Sequence, residues 1–233
     1  TEAGLRNGSI WANCMWLKGV VMKAHYNGLI PRNPFIQFHI SPNVKEREYL
    51  TEDELKAVMT HEFADSKLAY IRDIFIFASF TVLSFVDIQE LTNDNIVEVN
   101  GEKWILSKRH KTKVAFQVKL LDIPLQIVER YRPMQKDNRI FPDLNYWSIC
   151  KPLKRMIREC GITKSISFHC SRHGFATLAL SKGMPIESVS RVLGHTNIVT
   201  TQLYAKITTQ KLDNDLTMFG DKLSKTFNGI TMS

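Results

Sequence analysis

The sequence predicts a mainly α-helical chain carrying one small three-stranded antiparallel sheet, an α+β arrangement. Three observations carry that expectation. Apolar residues recur at helical spacing along most long segments, as Ile10, Cys14, Leu17, Val21 and Ala24 do near the start. Strand-like runs gather in one stretch, Ile96 to Leu121, around an Asn100-Gly101 pair. Elsewhere glycine and proline punctuate the chain at intervals suited to helices of about 8–20 residues.

Residues 1–41 read as the last part of a small helical unit, helical up to Asn27-Gly28, with Pro31 and Pro34 in the loop that follows. Lys18, Lys23 and His25 lie on that helix. Residues 42–48 are a polar linker, and residues 49–210 form a larger domain. It opens at Thr51, which with Glu54 makes a capping box for a helix to about Phe63. The next helix, Ser66 to Leu83, overlaps the apolar run Ile74–Val86. That run is too short to cross a bilayer and is bounded by charge, so it reads as a buried helix.

Ile96–Val99 and Trp104–Ser107 form a hairpin with a two-residue turn, and Val114–Leu121 a third strand. Between the last two strands lies Lys108-Arg109-His110-Lys111-Thr112-Lys113, a solvated loop or a non-specific phosphate contact. Leu125–Tyr131 is a short amphipathic helix stopped by Pro133. Tyr146–Cys160 is another, stopped by Gly161, with Lys151, Lys154, Arg155 and Arg158 on its polar side. Residues 211–233 form a C-terminal helix and tail. Leu212, Leu216, Phe219 and Leu223 give that helix a single apolar stripe, to be covered by its own domain or by a neighbouring copy.

The stretch Phe168–Ala205 holds the chemistry. His169 and Arg172 stand three apart at the front of an amphipathic run and share one helical face. That run stops at Gly183, and Pro185 opens a second helix with Ile186, Val189, Val192 and Leu193 buried. Gly194-His195 breaks it, and a third helix from about Ile198 puts Tyr204 one to two turns in. Two imidazoles, a guanidinium and a phenol suit phosphodiester chemistry. The arginine fork pairs two phosphate oxygens at once. Histidines donate to other oxygens or move protons. A tyrosine is a weak nucleophile with its pKa near about 10. Beside cations its phenolate becomes accessible, and attack on phosphorus leaves a phosphotyrosine. Taken singly, each has a commoner explanation: a helix cap for the histidines and arginine, half-buried core for the tyrosine. Cys160, His169, Cys170 and His173 form an alternative zinc set, but their spacing matches no common structural-zinc pattern.

The H-x-x-R-H, L-G-H and T-T-x-x-Y-A elements, in this order and at this spacing, resemble the C-terminal half of the tyrosine recombinase (phage integrase) family. The resemblance extends over nearly the whole chain. It implies that Tyr204 cuts one DNA strand and holds its 3′ phosphate, that Arg172 clamps the phosphate, and that His169 and His195 bind it and help move protons. It implies a hairpin lysine that protonates the leaving 5′ oxygen, here Lys111 just before Thr112, with Lys113 and Lys108 behind it. Lys108, Arg109, Lys113, Lys151, Lys154 and Arg155 become DNA-contacting cations. The first unit resembles the end of a DNA-clamping domain running into Asn33-Pro34-Phe35, so the chain looks like a fragment without an arm-site domain.

One departure stands out. The family's T-G-L-R pattern reads Thr81-Val82-Leu83-Ser84 here, so Ser84 occupies the place of the first of two phosphate-clamping arginines. Losing one such donor costs on the order of a hundredfold in rate. A subset of the family, the integrases of Bacteroidetes mobile elements, also has Ser there. Arg72 is the nearest upstream arginine and the candidate substitute.

The resemblance implies double-stranded DNA as partner, a homo-oligomer (a tetramer) on DNA that is monomeric in solution, a bacterial cytoplasmic setting, and no metal or other cofactor. Composition agrees in part. The net charge of +8 and pI near 9.3 favour a polyanion. Four cysteines without C-x-x-C spacing suit a reducing compartment. Rival readings are a type IB topoisomerase, a DNA-binding module that has lost catalysis (with Ser84 as the trace), and a helical transcription regulator. The last explains the charge but gives no reason for Arg172, His195 and Tyr204 to fall where they do.

Overall fold

The computed structural model describes residues 4, 7–39, 48–110, 114–135, 137–195, 197–205 and 209–226. The chain divides into two compact units, Thr1–Arg47 and Glu48–Ser233. The first contains α1 (Asn7–Tyr26), which ends where Gly28 adopts φ +72° and Leu29 N–H returns to Ala24 O. No residue of α1 is buried, and Trp16, Leu17 and Val20 are exposed.

The second unit opens with α2 (Glu52–Thr60), held by the expected box: Thr51 N–H donates to Glu54 at 2.7 Å and Glu54 N–H to Thr51 Oγ1 at 3.3 Å. Next, α3 (Ser66–Thr81) is capped by Asp65. It is followed by a short α4 (Phe85–Gln89), which the periodicity did not separate from it. Strands β1 (Ile96–Val99), β2 (Glu102–Lys108) and β3 (Ala115–Lys119) form an antiparallel sheet in that order. Asn100 and Gly101 sit at φ +53° and +77°, the twist that a two-residue hairpin requires. Then come α5 (Asp122–Tyr131), α6 (Tyr146–Glu159), α7 (Cys170–Ser181), α8 (Ile186–Leu193), α9 (Val199–Gln202) and α10 (Thr209–Thr226).

The apolar run Ile74–Val86 forms a buried helix only as far as Thr81; Val82 to Ser84 break it, and Phe85 and Val86 belong to α4. α3 packs against α5, α6 and α7, and Phe75, Phe77 and Ile74 are almost wholly enclosed. Phe168 meets both Phe75 and Phe85 edge-on, which ties the start of the functional stretch to the core. A second, smaller cluster of Val82, Ala176, Leu180, Val189 and Leu193 lies beneath the functional stretch. On α10, Leu212, Leu216, Phe219 and Leu223 are exposed, so the stripe is not buried against its own unit. Among the described residues no helix is long and apolar enough to cross a membrane.

One buried carboxylate braces α3 against α5. Asp73 pairs with Arg72 at 2.8 Å and Arg130 at 2.7 Å, and accepts from the Tyr131 hydroxyl at 2.8 Å. Burial and this carboxylate hold the Tyr131 proton firmly in place. Asp73→Ala strands these donors and is expected to destabilise the chain by about 3 kcal/mol, read from urea denaturation midpoints at constant m.

Candidate active site

The site is built around the end of α3. Val82 takes φ +61°, the left-handed region where a β-branched residue costs about 1–2 kcal/mol and glycine costs nothing. The residue is fully buried, so its packing in the smaller cluster holds it there. Its carbonyl accepts from two guanidinium groups, Arg172 Nη1 at 3.1 Å and Arg109 Nη1 at 3.3 Å. Two residues on, Ser84 caps α4 and forms a reciprocal box with Asp87. Asp87 in turn pairs with Arg109 at 3.0 Å and accepts from His110 N–H at 2.9 Å. Burial works against the Asp87 charge, but the His110, Ser84 and Arg109 hydrogen bonds outweigh it and bring its pKa below the usual value.

Arg172 rises from the first turn of α7, and its Nη2 donates to Leu193 O at the end of α8. Burial and the neighbouring Arg109 lower its pKa to about 10, so it stays charged at neutral pH; Tyr204 and Asp87 act the other way. The phenol of Tyr204 is therefore within electrostatic reach of the guanidinium. His195 follows Gly194, whose φ of +66° ends α8 and sends His195 N–H back to Ser190 O. Its Nδ1 meets the hydroxyl of the buried Thr201 at 2.9 Å. Tyr204 N–H donates to the carbonyl of that same Thr201 at 3.0 Å. Thr201 thus anchors the His195 imidazole through its hydroxyl and the Tyr204 backbone through its carbonyl.

His169 occupies the position just before α7 rather than lying inside it, and its ring meets His173 at 4.9 Å. His173 in turn meets Tyr204 at 5.1 Å. The structure brings His169, Arg172, His195 and Tyr204 to one region, with two linking residues: His173, which the sequence offered only as part of a zinc set and of the H-x-x-R-H element, and Thr201, which it did not single out. The i, i+4 spacing of His169 and His173 was the available signal for the first. Thr201 is the second threonine of the T-T-x-x-Y element.

Several expectations require correction. Tyr204 is not inside a helix: α9 stops at Gln202, and Tyr204 occupies the turn after it, fixed by Thr201 O and the smaller apolar cluster. Arg72 is not brought to the site. It pairs with Asp73, donates to His61 O at 2.8 Å and lies beside Cys160. Ten residues of helix separate it from Val82, about 15 Å at 1.5 Å per residue. Arg109 is not a solvated loop cation. Only 8% exposed, it pairs with Asp87, donates to Val192 O at 3.0 Å and stacks over the Phe116 ring at 4.3 Å.

Lys108, Lys151 and Lys154 are exposed. Arg155 is also solvent-facing but engaged by Glu159 and Asp65. Lys111 and Lys113 lie outside the described residues. Among the described residues no cluster of three or more His, Cys, Asp or Glu is placed to hold a metal, so Cys160, His169, Cys170 and His173 do not form one.

Comparison with known proteins places this geometry in context. The phage integrase family matches residues 48–211, more than half of the chain, and the chain belongs to that family. It is 32% identical over 177 residues to tyrosine recombinase XerA of Pyrococcus horikoshii, covering 70% of this chain and 58% of that one. It is 26% identical over 200 residues to tyrosine recombinase XerC of Lactobacillus leichmannii, covering 79% and 67%. The chain thus spans under two thirds of the Pyrococcus relative's length. Among solved structures, the Tn1549 transposon integrase in complex with circular intermediate DNA superposes with a TM-score of 0.76 at 18% identity, covering 92% of this chain and 80% of that one. A lambda integrase dimer bound to a COC′ core site gives 0.63 at 19% identity, covering 81% and 69%. At these identities the structural likeness establishes the fold.

Burial lowers the His195 pKa, and Arg172 and Arg109 lower it further. The unfolded chain therefore binds this proton more readily than the folded one. Stability tied to the neutral ring is complete above about pH 6.5 and is lost as pH falls through the lower folded pKa. Imidazole-detected NMR is expected to place the His195 midpoint below about 6.5, and Arg172→Gln, which removes one cation, is expected to move it upward. A wild-type midpoint at or above the ordinary value would contradict this arrangement.

Proposed function

We propose that this chain is the catalytic portion of a site-specific tyrosine recombinase that cuts and rejoins DNA strands through a 3′-phosphotyrosine intermediate. The observation that carries the reading is the convergence of Arg172, His195 and Tyr204 across α7, the end of α8 and the turn after α9. Arg172 holds the scissile phosphate and offsets the charge that develops on its oxygens. His169 and His195 hydrogen-bond that phosphate and help carry the tyrosine proton. Tyr204 Oη forms a bond to phosphorus as the bond to the 5′ oxygen breaks, and Lys111 protonates that leaving oxygen. Attack by a 5′ hydroxyl from another strand reverses the step. One phosphodiester is exchanged for another, so the chemistry needs no metal, nucleotide or other cofactor.

Residues 1–41 read as the end of a helical DNA-clamping domain, 42–48 as linker, 49–210 as the catalytic domain and 211–233 as C-terminal helix and tail. The surplus of positive charge, with Lys108, Lys151, Lys154 and Arg155 exposed, supports double-stranded DNA as the partner. The uncovered apolar stripe of α10 supports docking on a second copy, as in a tetramer assembled on DNA in the bacterial cytoplasm. Ser84 supports a place among integrases of Bacteroidetes-type mobile elements. It equally motivates the second reading, a DNA-binding module of this fold with impaired catalysis.

A pool of nicked duplexes with a randomised core separates the two readings. The nick lets the short strand diffuse away after cleavage and traps the intermediate. Wild-type chain is expected to accumulate an adduct that survives denaturation, and sequencing its DNA reports the site. Tyr204→Phe is expected to abolish the adduct while retaining binding. Lys111→Ala is expected to slow its formation by about a hundredfold or more, as loss of a general acid does. Tight binding with no adduct from the wild-type chain would establish the module reading instead.

A further inference from the structure

We propose that His173 positions the nucleophile: its ring, lodged between those of His169 and Tyr204, holds the phenol ready beside α7 before any DNA is cut. The inference rests on the recombinase reading above and deepens it, adding a residue that acts through Tyr204 rather than on the phosphate.

Four observations carry it. First, the three rings form a chain. His173 lies 4.9 Å from His169 with 81° between the planes, and 5.1 Å from Tyr204 with 53° between them. Aromatic rings at such separations and inclinations attract one another beyond the area they bury. Second, the backbone alone does not fix the phenol. α9 is only four residues long, and Tyr204 lies beyond its end, its N–H on Thr201 O. The Tyr204 side chain is half-buried, resting on the smaller apolar cluster on one side and meeting His173 on another. Third, His173 is itself firmly seated. It lies within α7, and its carbonyl accepts from Thr177 Oγ1 at 3.2 Å. The residue before it, Arg172, is anchored to the carbonyls of Val82 and Leu193, and Ala176 is fully enclosed. Fourth, the spacing divides the work. Residues 172 and 173 point about 100° apart around the helix, so one grips phosphate while the next supports the ring that attacks it. His169, four positions earlier, closes the far side of His173.

The physical effect is one of orientation. A ring at the end of a single helical turn samples several side-chain rotamers, and only some place Oη in line with phosphorus. Contact with His173 narrows that choice in the uncut state. Once the phosphotyrosine has formed, its bond to phosphorus holds the ring, and the support has little left to do. Cleavage and resealing share one transition state. Loss of the His173 ring therefore slows cleavage and leaves resealing almost unchanged.

The test uses a duplex recovered from the randomised pool, nicked to trap the adduct, with His173→Ala, His173→Leu and His173→Phe. The alanine and leucine variants are expected to retain duplex binding yet form adduct about tenfold more slowly than wild type. His173→Phe, which restores a ring, is expected to recover most of that loss. Resealing is timed from adduct accumulated over a long incubation, by adding a strand with a free 5′ hydroxyl. In His173→Ala it is expected within about twofold of wild type. A merely structural role, in which loss of the ring disturbs Arg172, slows cleavage and resealing alike, and that result overturns the proposal. So does His173→Phe cleaving as slowly as His173→Ala, which assigns the effect to the imidazole nitrogens instead of ring contact.

A structure of the Tyr204→Phe chain on the intact duplex keeps His173 in place and decides the matter independently of how its variants fold. The ring at position 204 is expected to stay within about 7 Å of the His173 ring, centroid to centroid. A ring swung away from His173 while the duplex is bound overturns the inference. If wild-type chain forms no adduct on any duplex, the recombinase reading fails and this inference falls with it. Adduct from wild type with indifference to His173 removes the inference alone.

Discussion

A single backbone oxygen organises the site. The Val82 carbonyl has two lone pairs, and it accepts from two guanidinium groups carried by elements far apart in sequence. To present that oxygen the chain leaves α3 in a left-handed conformation that a valine resists. The strain is tolerated because Val82 is fully enclosed by α7 and α8 side chains, which over-determine its backbone. Remove this acceptor from its place and neither arginine keeps its aim.

Around that oxygen the electrostatics are lopsided by construction. Asp87 pairs with Arg109, while Arg172 donates to the carbonyls of Val82 and Leu193. Both cations discourage a proton on His195, so a neutral imidazole and charged arginines coexist at physiological pH. Thr201 ties His195 to the turn that carries Tyr204, since its hydroxyl meets the imidazole and its carbonyl accepts from the Tyr204 backbone N–H. The main core around α3 does not touch the chemistry directly. It supplies the rigid floor, through Phe75, Phe168 and the Asp73 brace, from which α7 starts.

Much of this was legible beforehand, and for identifiable reasons. The Thr51–Glu54 box and the Asn100-Gly101 turn depend on residues a few positions apart, so their chemistry reads directly from order. The buried helix Ser66–Thr81 announced itself by an apolar run too short for a membrane. The spacing of His169, Arg172, His195 and Tyr204 pointed to one locus. Less visible were features set by distant neighbours. Val82 and Phe85 fit one continuous helical pattern, so the break between α3 and α4 was hidden. Arg109 sits in a run of basic residues that locally resembles any solvated loop, and the partners that hold Arg72 away from the site, Asp73 and His61 O, are set by folding.

By itself the sequence determined most of the element order, the hairpin, the apolar stripes of single helices and the kinds of side chain available for phosphodiester chemistry. These follow from periodicity, capping and turn preferences that act over a few residues. Only the tertiary structure decided which cation turns inward, where Tyr204 leaves its helix and which carbonyl aims both arginines. Those outcomes depend on charge pairing and close packing between Val82, Asp87, Arg109, Arg172 and Val192, groups brought together by folding across more than a hundred residues of chain.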